Sequence, residues 1–319
     1  MTGGRRWVLA LLVALIAVPA VVALTGAVAY HVANRSNRTM VVAGKEREYL
    51  LYVPPRYDPA KPTPLVISLH GAGLWGAAQQ EISQWNRVAD RAGFLVVYPS
   101  GAGGSGVRVW HDDSGATGDV RFIAALIDTL EAQYTIDPTR IYANGLSNGG
   151  GMSFVLSCTL SDRIAAVGLV GAALTMPWQW CRDRHPVPAI WFHGTADGAA
   201  PYRGGTSWVA LTRPFPSIPQ FVANWARRNR CGETAADAAV ARDITRSTYT
   251  ACADDATVVL YTIRGGGHTW PGGGPLPDAW VGPTNREIDA SSLMWSFFSA
   301  HPLQQHESPR SLLQHPADH

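Results

Sequence analysis

Charged residues are scarce in this chain. They make up 16% of its 319 residues, whereas apolar residues make up 46%. A composition this apolar excludes a mainly disordered chain and can supply a sizeable hydrophobic core. Lys and Arg (26 residues) barely outnumber Asp and Glu (24 residues), and the sequence contains no basic run. Because that electrostatic surface is missing, we expect no nucleic-acid partner.

Cysteine does not occur before Cys158, and none of the four cysteines belongs to a C-x-x-C pair. The lack of that spacing argues against a zinc site, so no metal and no other cofactor is expected. Four cysteines allow three connectivities, of which sequence proximity favours Cys158–Cys181 with Cys231–Cys252. In the chain-entropy account, each bond would close a loop of about 20 residues and contribute about 3 kcal/mol.

The one long apolar run lies at the N-terminus. Arg5 and Arg6 precede apolar residues that continue from Trp7 to about Tyr30, and Ala27-Val28-Ala29 fits the A-x-A pattern of a signal-peptidase site. Residues 1–29 are therefore predicted to be a signal peptide or, if uncleaved, a membrane anchor. A proline and small residues near the end of the run favour cleavage. Either fate places the remaining chain outside the cytoplasm, secreted or anchored, with membrane contact only through this segment.

Short apolar runs alternate with helical patterns along the rest of the chain. The continuous apolar runs predict buried strands at Arg47–Val53, Leu65–His70, Phe94–Tyr98, Ile141–Ala143, Ala165–Val170, Pro188–Phe192 and Val258–Ile263. Helices are predicted over Asp119–Tyr134, Asn148–Cys158, Ile218–Arg228 and Ala290–Ala300. This alternation predicts an α/β fold, with a mostly parallel sheet and helices on both faces. We expect a monomer with a linker over 30–38, one domain over 39–302 and a disordered tail over 303–319.

Gly145-Leu146-Ser147-Asn148-Gly149 is a G-x-S-x-G motif between a predicted strand and a predicted helix. This context is typical of a nucleophile elbow, in which a sharp turn exposes a serine hydroxyl at the carboxyl end of a strand. The flanking glycines suit a turn that is too tight for a Cβ atom. Ser147 is therefore the candidate nucleophile. The N–H of Asn148, at the start of the helix, is expected to point toward the negative charge that develops during the reaction.

A serine nucleophile needs a base and a group that orients the base. In α/β-hydrolases these residues follow the serine in the order acid, then histidine. Asp197 ends the segment His193-Gly194-Thr195-Ala196-Asp197 after a predicted strand, and His268 follows three glycines after the last predicted strand. Asp197 is the candidate acid, and His268 is the candidate base, on a loop expected to be mobile and exposed. His193 is a rival base, but it precedes the acid, so we interpret it as shaping the loop.

Acyl transfer also needs a second backbone N–H to hold the oxyanion. Leu69-His70-Gly71-Ala72-Gly73 follows a predicted strand and fits the HG-type loop that supplies this group. We predict that the N–H groups of Ala72 and Asn148 form the oxyanion hole. We also predict that His70 holds the loop in place and takes no part in proton transfer.

Taken together, these motifs resemble those of the secreted polyhydroxybutyrate-depolymerase-like esterases, which share carbohydrate esterase family one with feruloyl and acetylxylan esterases. The resemblance extends from about Arg47 to Pro302. It rests on segments spread along the chain: Leu69–Gly73, Ile136–Tyr142, Gly145–Met152, His193–Asp197 with Pro201-Tyr202, Gly267–Gly272 and Ile288–Phe298.

The resemblance implies an α/β-hydrolase fold over nearly the whole mature chain. It implies that Ser147, Asp197 and His268 act as a triad, and it supports the Cys231–Cys252 pair. The implied activity is that of an exported serine esterase without a cofactor. It would act through an acyl-enzyme on feruloyl or acetyl esters of polysaccharides, or on short polyhydroxyalkanoate chains. A serine peptidase or lipase-like hydrolase on this fold, and a catalytically silent surface binding protein, are the alternatives.

The chain departs from the family's pattern at Val107–His111, which lacks the usual cysteine-rich aromatic stretch that contributes to the substrate cleft. Trp270, two residues after the candidate base, is predicted to form a wall of that cleft. Trp75 and Tyr202 are further candidate substrate contacts. The stretch 199–219 is too short to fold as a lid domain, so bulky alcohol groups such as polysaccharides should reach the serine.

Overall fold

The computed structural model of the chain describes residues 35–103, 107–111, 117–172, 174 and 176–304. The predicted signal or anchor segment and residues 305–319 of the predicted tail lie outside these ranges. Within the described part of the chain, no helix combines the length and the hydropathy needed to cross a bilayer.

Ten of the described strands form one large mixed sheet, and the other four form two small two-stranded sheets. In chain order they are β1 (Arg38–Val42), β2 (Lys45–Tyr52), β3 (Thr63–Leu69), β4 (Leu95–Pro99), β5 (Ala102–Gly103), β6 (Arg108–Val109), β7 (Ile136–Leu146), β8 (Ala166–Val170), β9 (Ala189–Gly194), β10 (Gly205–Ser207), β11 (Ala210–Phe215), β12 (Ala236–Ala241), β13 (Ile244–Tyr249) and β14 (Val258–Ile263). The ten-stranded sheet has the order β1-β2-β4-β3-β7-β8-β9-β14-β13-β12. Its central strands, from β4 to β14 in that order, are parallel. Antiparallel strands complete both edges.

Helices cover both faces of the sheet. They are α1 (Gly76–Ser83), α2 (Trp85–Ala92), α3 (Thr117–Gln133), α4 (Asn148–Thr159), α5 (Ile218–Arg228), α6 (Asp278–Val281) and α7 (Ala290–Ser299). One core cluster lies under α3, α4 and α5, and a second lies under α1, α2 and α7. Strands β3, β4 and β8 are buried at every position, as expected for apolar runs in a parallel sheet covered on both faces. The predicted α/β architecture is confirmed.

Both disulfides favoured by sequence proximity are present, and no cysteine is free. The Cys158–Cys181 bond connects the end of α4 to the segment after β8. The Cys231–Cys252 bond encloses the β12–β13 hairpin, which extends the sheet beyond β14 and was not predicted. Between the acid loop and α5, β10 and β11 form a small antiparallel hairpin in place of a lid domain.

Candidate active site

Ser147 occupies the single-residue turn between β7 and α4. Its backbone angles, φ 55° and ψ −118°, belong to a conformation that an L-residue adopts at a cost of about 1–3 kcal/mol. The flanking glycines allow the turn to close. A Cβ atom on Gly145 would lie 2.3 Å from the carbonyl carbon of Gly149, and one on Gly149 would lie 2.3 Å from the carbonyl oxygen of Leu69. The turn therefore has the strained geometry of a nucleophile elbow.

The candidate acid and base are joined directly. His268 Nδ1 lies 2.8 Å from Asp197 Oδ2, and both side chains are buried. The other carboxylate oxygen, Oδ1, accepts the backbone N–H groups of Ala199 (2.9 Å) and Ala200 (2.8 Å). Burial alone would raise the pKa of the Asp197 carboxyl, but hydrogen bonds from His193 and His268 outweigh it and hold the pKa well below its usual range. Asp197 is thus ionised and cannot rotate.

The acid–base pair meets the elbow at Gly171. The Ser147 N–H donates to the Val170 carbonyl (2.9 Å), and the next residue, Gly171, has φ 49°. A Cβ atom there would lie 3.1 Å from His268 Nδ1 and 3.3 Å from Asp197 Oδ2. Among the described residues, no hydrogen bond joins the Ser147 hydroxyl to His268. Such bonds are often longer in a free enzyme and shorten with substrate bound.

The loop after β3 approaches the elbow from the other side, since a Cβ atom on Gly71 would lie 3.4 Å from Ser147 Cβ. The next residue, Ala72, is exposed. In the part of the chain that the structure describes, the N–H groups of Ala72 and Asn148 donate no hydrogen bond. Both remain available to a negatively charged oxygen near Ser147, as an oxyanion hole requires.

His70 is completely buried beneath this loop. Its Nε2 accepts the Gly101 N–H (2.8 Å), which leaves the proton on Nδ1, where it is donated to the Gly71 carbonyl (2.8 Å). Burial lowers the pKa of the His70 imidazole to about 4. A neutral ring with both nitrogens engaged holds the loop and is not placed to exchange protons.

Trp110 supports the site in a way that sequence reasoning missed. Its backbone N–H donates to Asn148 Oδ1 (2.7 Å), and its carbonyl accepts from Asn148 Nδ2 (2.9 Å). Its indole N–H donates to the His70 carbonyl (3.0 Å). The adjacent strand β6 accepts the Gly73 N–H at Arg108 (2.8 Å). The two candidate oxyanion-hole segments are thus connected through Trp110. The two hydrogen bonds to Asn148 use backbone groups of Trp110, which almost any residue type could supply, so the sequence gives little indication of this role.

One of the three predicted aromatic contacts, Trp270, is placed differently from expectation, and the other two are partly exposed. Trp270 is 1% exposed, and its indole N–H donates to Ser291 Oγ (3.1 Å) on α7, so it belongs to the core beneath the base and is not a wall of the cleft. Tyr202 is half-buried, and its hydroxyl is bound to Thr262 on β14 (2.8 Å). Trp75 is half-buried at the start of α1 and packs against the second core cluster.

Two of the three glycines before His268, Gly266 and Gly267, are buried and packed, whereas Gly265 is exposed. A Cβ atom on Gly267 would lie 2.2 Å from the Val281 carbonyl oxygen, and one on Gly194 would lie 2.1 Å from the Gly266 carbonyl oxygen. The His268 N–H donates to the Val281 carbonyl, so α6 covers the loop. The expectation that His268 is exposed was therefore wrong, because Gly266 and Gly267 permit close backbone approach.

The rival base, His193, is buried, and both of its ring nitrogens are engaged by Trp191 and by Ala200. It therefore cannot take a proton from a substrate or from Ser147. Within the described ranges, no group of three or more His, Cys, Asp or Glu side chains is placed to hold a metal ion.

Known proteins resemble this chain in sequence and in fold. The family model described as "Esterase PHB depolymerase" matches residues 47–176. A protein named "Putative esterase NocK", from Nocardia uniformis subsp. tsuyamanensis, is 32% identical over 83% of this chain and 83% of its own length. Feruloyl esterase B of Piromyces equi is 31% identical over 70% of this chain, which spans only 42% of that protein.

A solved acetyl xylan esterase from Aspergillus awamori has the same fold, with a TM-score of 0.51 over 70% of this chain and 89% of that one, at 16% identity. The sheet order and the strand–turn–helix at the serine are those of an α/β-hydrolase. The chain therefore belongs to the PHB depolymerase family of esterases and is a carboxylic ester hydrolase with the α/β-hydrolase fold.

Proposed function

We propose that the chain is an exported serine esterase in which Ser147 is the nucleophile, His268 the general base and Asp197 the group that orients the base. One observation carries the proposal: a strained serine turn and a buried carboxylate–imidazole pair meet at Gly171. Two disulfides support folding in an oxidising compartment. The apolar N-terminal run supports export.

In the proposed reaction, His268 Nε2 accepts the Ser147 hydroxyl proton as Oγ attacks the ester carbonyl. The N–H groups of Ala72 and Asn148 hold the oxyanion. His268 then gives the proton to the leaving alcohol, and the acyl group remains on Ser147. Water, losing a proton to the same imidazole, attacks the acyl-enzyme; the bond from the acyl carbon to Ser147 Oγ then breaks, His268 returns the proton to Oγ, and the acid leaves. Throughout, the ionised Asp197 keeps Nδ1 protonated and stabilises the imidazolium.

We propose feruloyl or acetyl esters of polysaccharides as the substrates. The name of the Piromyces relative supports the ester class. Two exposed indoles support a ring-bearing substrate, since Trp280 is 78% and Trp208 is 65% exposed. Trp280 lies in α6, next to Val281, which accepts the His268 N–H. Trp208 follows Ser207, whose hydroxyl donates to the Ala199 carbonyl (2.6 Å) in the acid loop.

The first test is nucleophile removal. Ser147→Ala should lower kcat by about 10⁴-fold or more, and Asp197→Asn by about 10⁴-fold with little change in KM. Ser296→Ala, on an exposed face of α7, is the matched control and should keep full activity. A Ser147→Ala protein with more than about a tenth of the wild-type rate would refute the assignment.

The second test concerns the substrate. Rates should be compared on methyl ferulate, acetylated xylan, hydroxybutyrate oligomers and p-nitrophenyl acetate. Trp280→Ala and Trp208→Ala should each lower kcat/KM on acetylated xylan about fivefold or more, as expected for the loss of a stacking contact, and leave p-nitrophenyl acetate unchanged. Trp180→Ala, at an exposed tryptophan outside the candidate site, is the control. Fastest hydrolysis of the hydroxybutyrate oligomers would replace the polysaccharide proposal with a polyester one.

A further inference from the structure

Asp197 contacts a second imidazole besides that of the base. His193, near the end of β9, places its Nε2 3.3 Å from Asp197 Oδ2, the same oxygen that faces His268. The same Nε2 lies 2.7 Å from the Ala200 carbonyl oxygen. Both the His193 and the Asp197 side chains are completely buried. One carboxylate oxygen is therefore positioned between two rings.

The location of the proton on His193 follows from its other neighbour. Trp191, two residues earlier and on the same face of β9, places its indole Nε1 3.3 Å from His193 Nδ1. An indole N–H can only donate, so Nδ1 must accept and the ring proton must be on Nε2. Nε2 donates to the Ala200 carbonyl at 2.7 Å, and Asp197 Oδ2 is a second, longer contact of the same nitrogen at 3.3 Å. Each nitrogen of His193 therefore has a partner of the correct kind.

Few other titratable groups face this ring. The Tyr202 ring lies 6.0 Å from it, and its hydroxyl is bound to Thr262. His268 interacts with His193 through the Asp197 carboxylate, which both imidazoles contact. The carboxylate therefore governs the electrostatics around His193, and hydrogen bonds from both rings favour its ionised form.

We propose that His193 is a positioning residue for the acid: as a neutral Nε2–H donor it holds Asp197 Oδ2 in place for His268, and Trp191 fixes the tautomer that makes this possible. This inference rests on the proposed function, because it assigns His193 a role only if Asp197 orients the base. The Ala199 and Ala200 N–H groups restrain Oδ1, and His193 restrains Oδ2. With both oxygens restrained, Asp197 presents one fixed lone pair to His268 Nδ1–H.

Two substitutions at residue 193 separate the hydrogen bond from the packing. His193→Gln keeps an N–H donor, whereas His193→Met has a similar length and no donor. His193→Met should lower kcat about tenfold to a hundredfold, the effect of losing one hydrogen bond to a charged group, with KM unchanged. His193→Gln should restore most of that loss. Equal kcat values for the Met variant and the wild type would overturn the proposal.

A spectroscopic readout separates positioning from general destabilisation. The His268 Nδ1 proton, shared with Asp197, should give a low-field proton NMR signal that shifts in His193→Met and returns in His193→Gln. A folded, slower Met variant with the wild-type signal would show a structural role only, and would overturn the proposal.

A third variant keeps the test decisive if both substitutions at 193 prevent folding. Trp191→Phe removes the indole N–H, together with part of the ring volume, so His193 is free to take its other tautomer. It should lower kcat about twofold to tenfold, and ¹⁵N spectra should show the His193 proton moving from Nε2 toward Nδ1. Trp225→Phe is the matched control, because that indole N–H donates to the Val187 carbonyl (3.0 Å) in the same core cluster. Trp225→Phe should lower the free energy of unfolding and leave kcat unchanged.

Failure of this inference differs from failure of the proposed function. If Ser147→Ala and His268→Ala stay active, the triad itself is wrong. If those variants are inactive while Trp191→Phe and Trp225→Phe match the wild type in kcat, and the His193 tautomer is unchanged, the triad stands and the positioning role is refuted.

Discussion

Acidification should destabilise this fold through one buried ring, that of His70. Its Nε2 accepts the Gly101 N–H, and a proton on Nε2 would replace that hydrogen bond with two opposed donors. Burial accordingly lowers the pKa of His70 to about 4 in the folded chain. In the unfolded chain the pKa returns to about 6.5.

The sign and size of the effect follow from these two values. Between about pH 6.5 and about pH 4 the unfolded chain holds a proton on His70 and the folded chain does not, so the free energy of unfolding falls as the pH falls. This difference in the His70 pKa between the two states corresponds to about 3 kcal/mol of unfolding free energy, which is lost as the pH falls across that window. Below about pH 4 both states carry the proton, and this residue contributes no further change.

The assay is urea unfolding at pH 7, 6, 5 and 4 for the wild type and for His70→Gln. Gln offers an amide oxygen to the Gly101 N–H and does not titrate, so any difference in slope between the two proteins reports on His70. Carboxylates contribute equally to both. We expect the wild type to lose about 3 kcal/mol more than the variant between pH 7 and pH 4. His301→Gln is the control, since the smaller lowering of the His301 pKa predicts a smaller effect. Parallel curves for the wild type and His70→Gln would refute the reasoning.

Three further substitutions test the elbow and the disulfides by urea unfolding. Gly145→Ala places a Cβ atom 2.3 Å from backbone and should cost about 3 kcal/mol, whereas Gly118→Ala, in open space on α3, should gain up to about 1 kcal/mol; equal stabilities would contradict the packing argument. Ser147→Gly should be about 1 kcal/mol more stable than Ser147→Ala, since glycine relieves the positive φ, and the reverse order would argue against strain. Cys231→Ser should cost about 3 kcal/mol without reductant, and an unchanged midpoint would show that the bond to Cys252 adds nothing.

Local sequence patterns locate the candidate serine, acid and histidine because each follows an apolar strand that ends at the same edge of the sheet. The order serine, acid, histidine then selects Asp197 and His268 without knowledge of their contacts. The same reasoning reaches the Ala72 loop, which follows β3. The parallel core is predictable for a similar reason, since strands buried on both faces have continuous apolar runs.

Other features depend on distant parts of the chain and could not be predicted locally. Trp270 is buried in the second core cluster and donates its indole N–H to Ser291, 21 residues later on α7, and nothing near Trp270 in the sequence signals this packing. In the β12–β13 hairpin half of the strand positions are exposed and there is no apolar alternation, so its sequence resembles a loop. The glycines before His268 have the composition of a flexible segment, and only their contacts with distant residues, such as that of Gly267 with Val281 of α6, show that two of them are closely packed.

The close approach of Gly171 to His268 and Asp197 limits which substitutions this enzyme can accept. Even a methyl group there would press against His268 and Asp197, and a misplacement of about 1 Å at a reacting group can cost a hundredfold in rate. A library that varies residue 171 should therefore yield folded but inactive proteins. Variation at the exposed positions 208 and 280 would leave the packing of Gly171 against His268 and Asp197 unchanged. Laboratory evolution of substrate preference should thus proceed at the rim of the site, while residue 171 stays glycine.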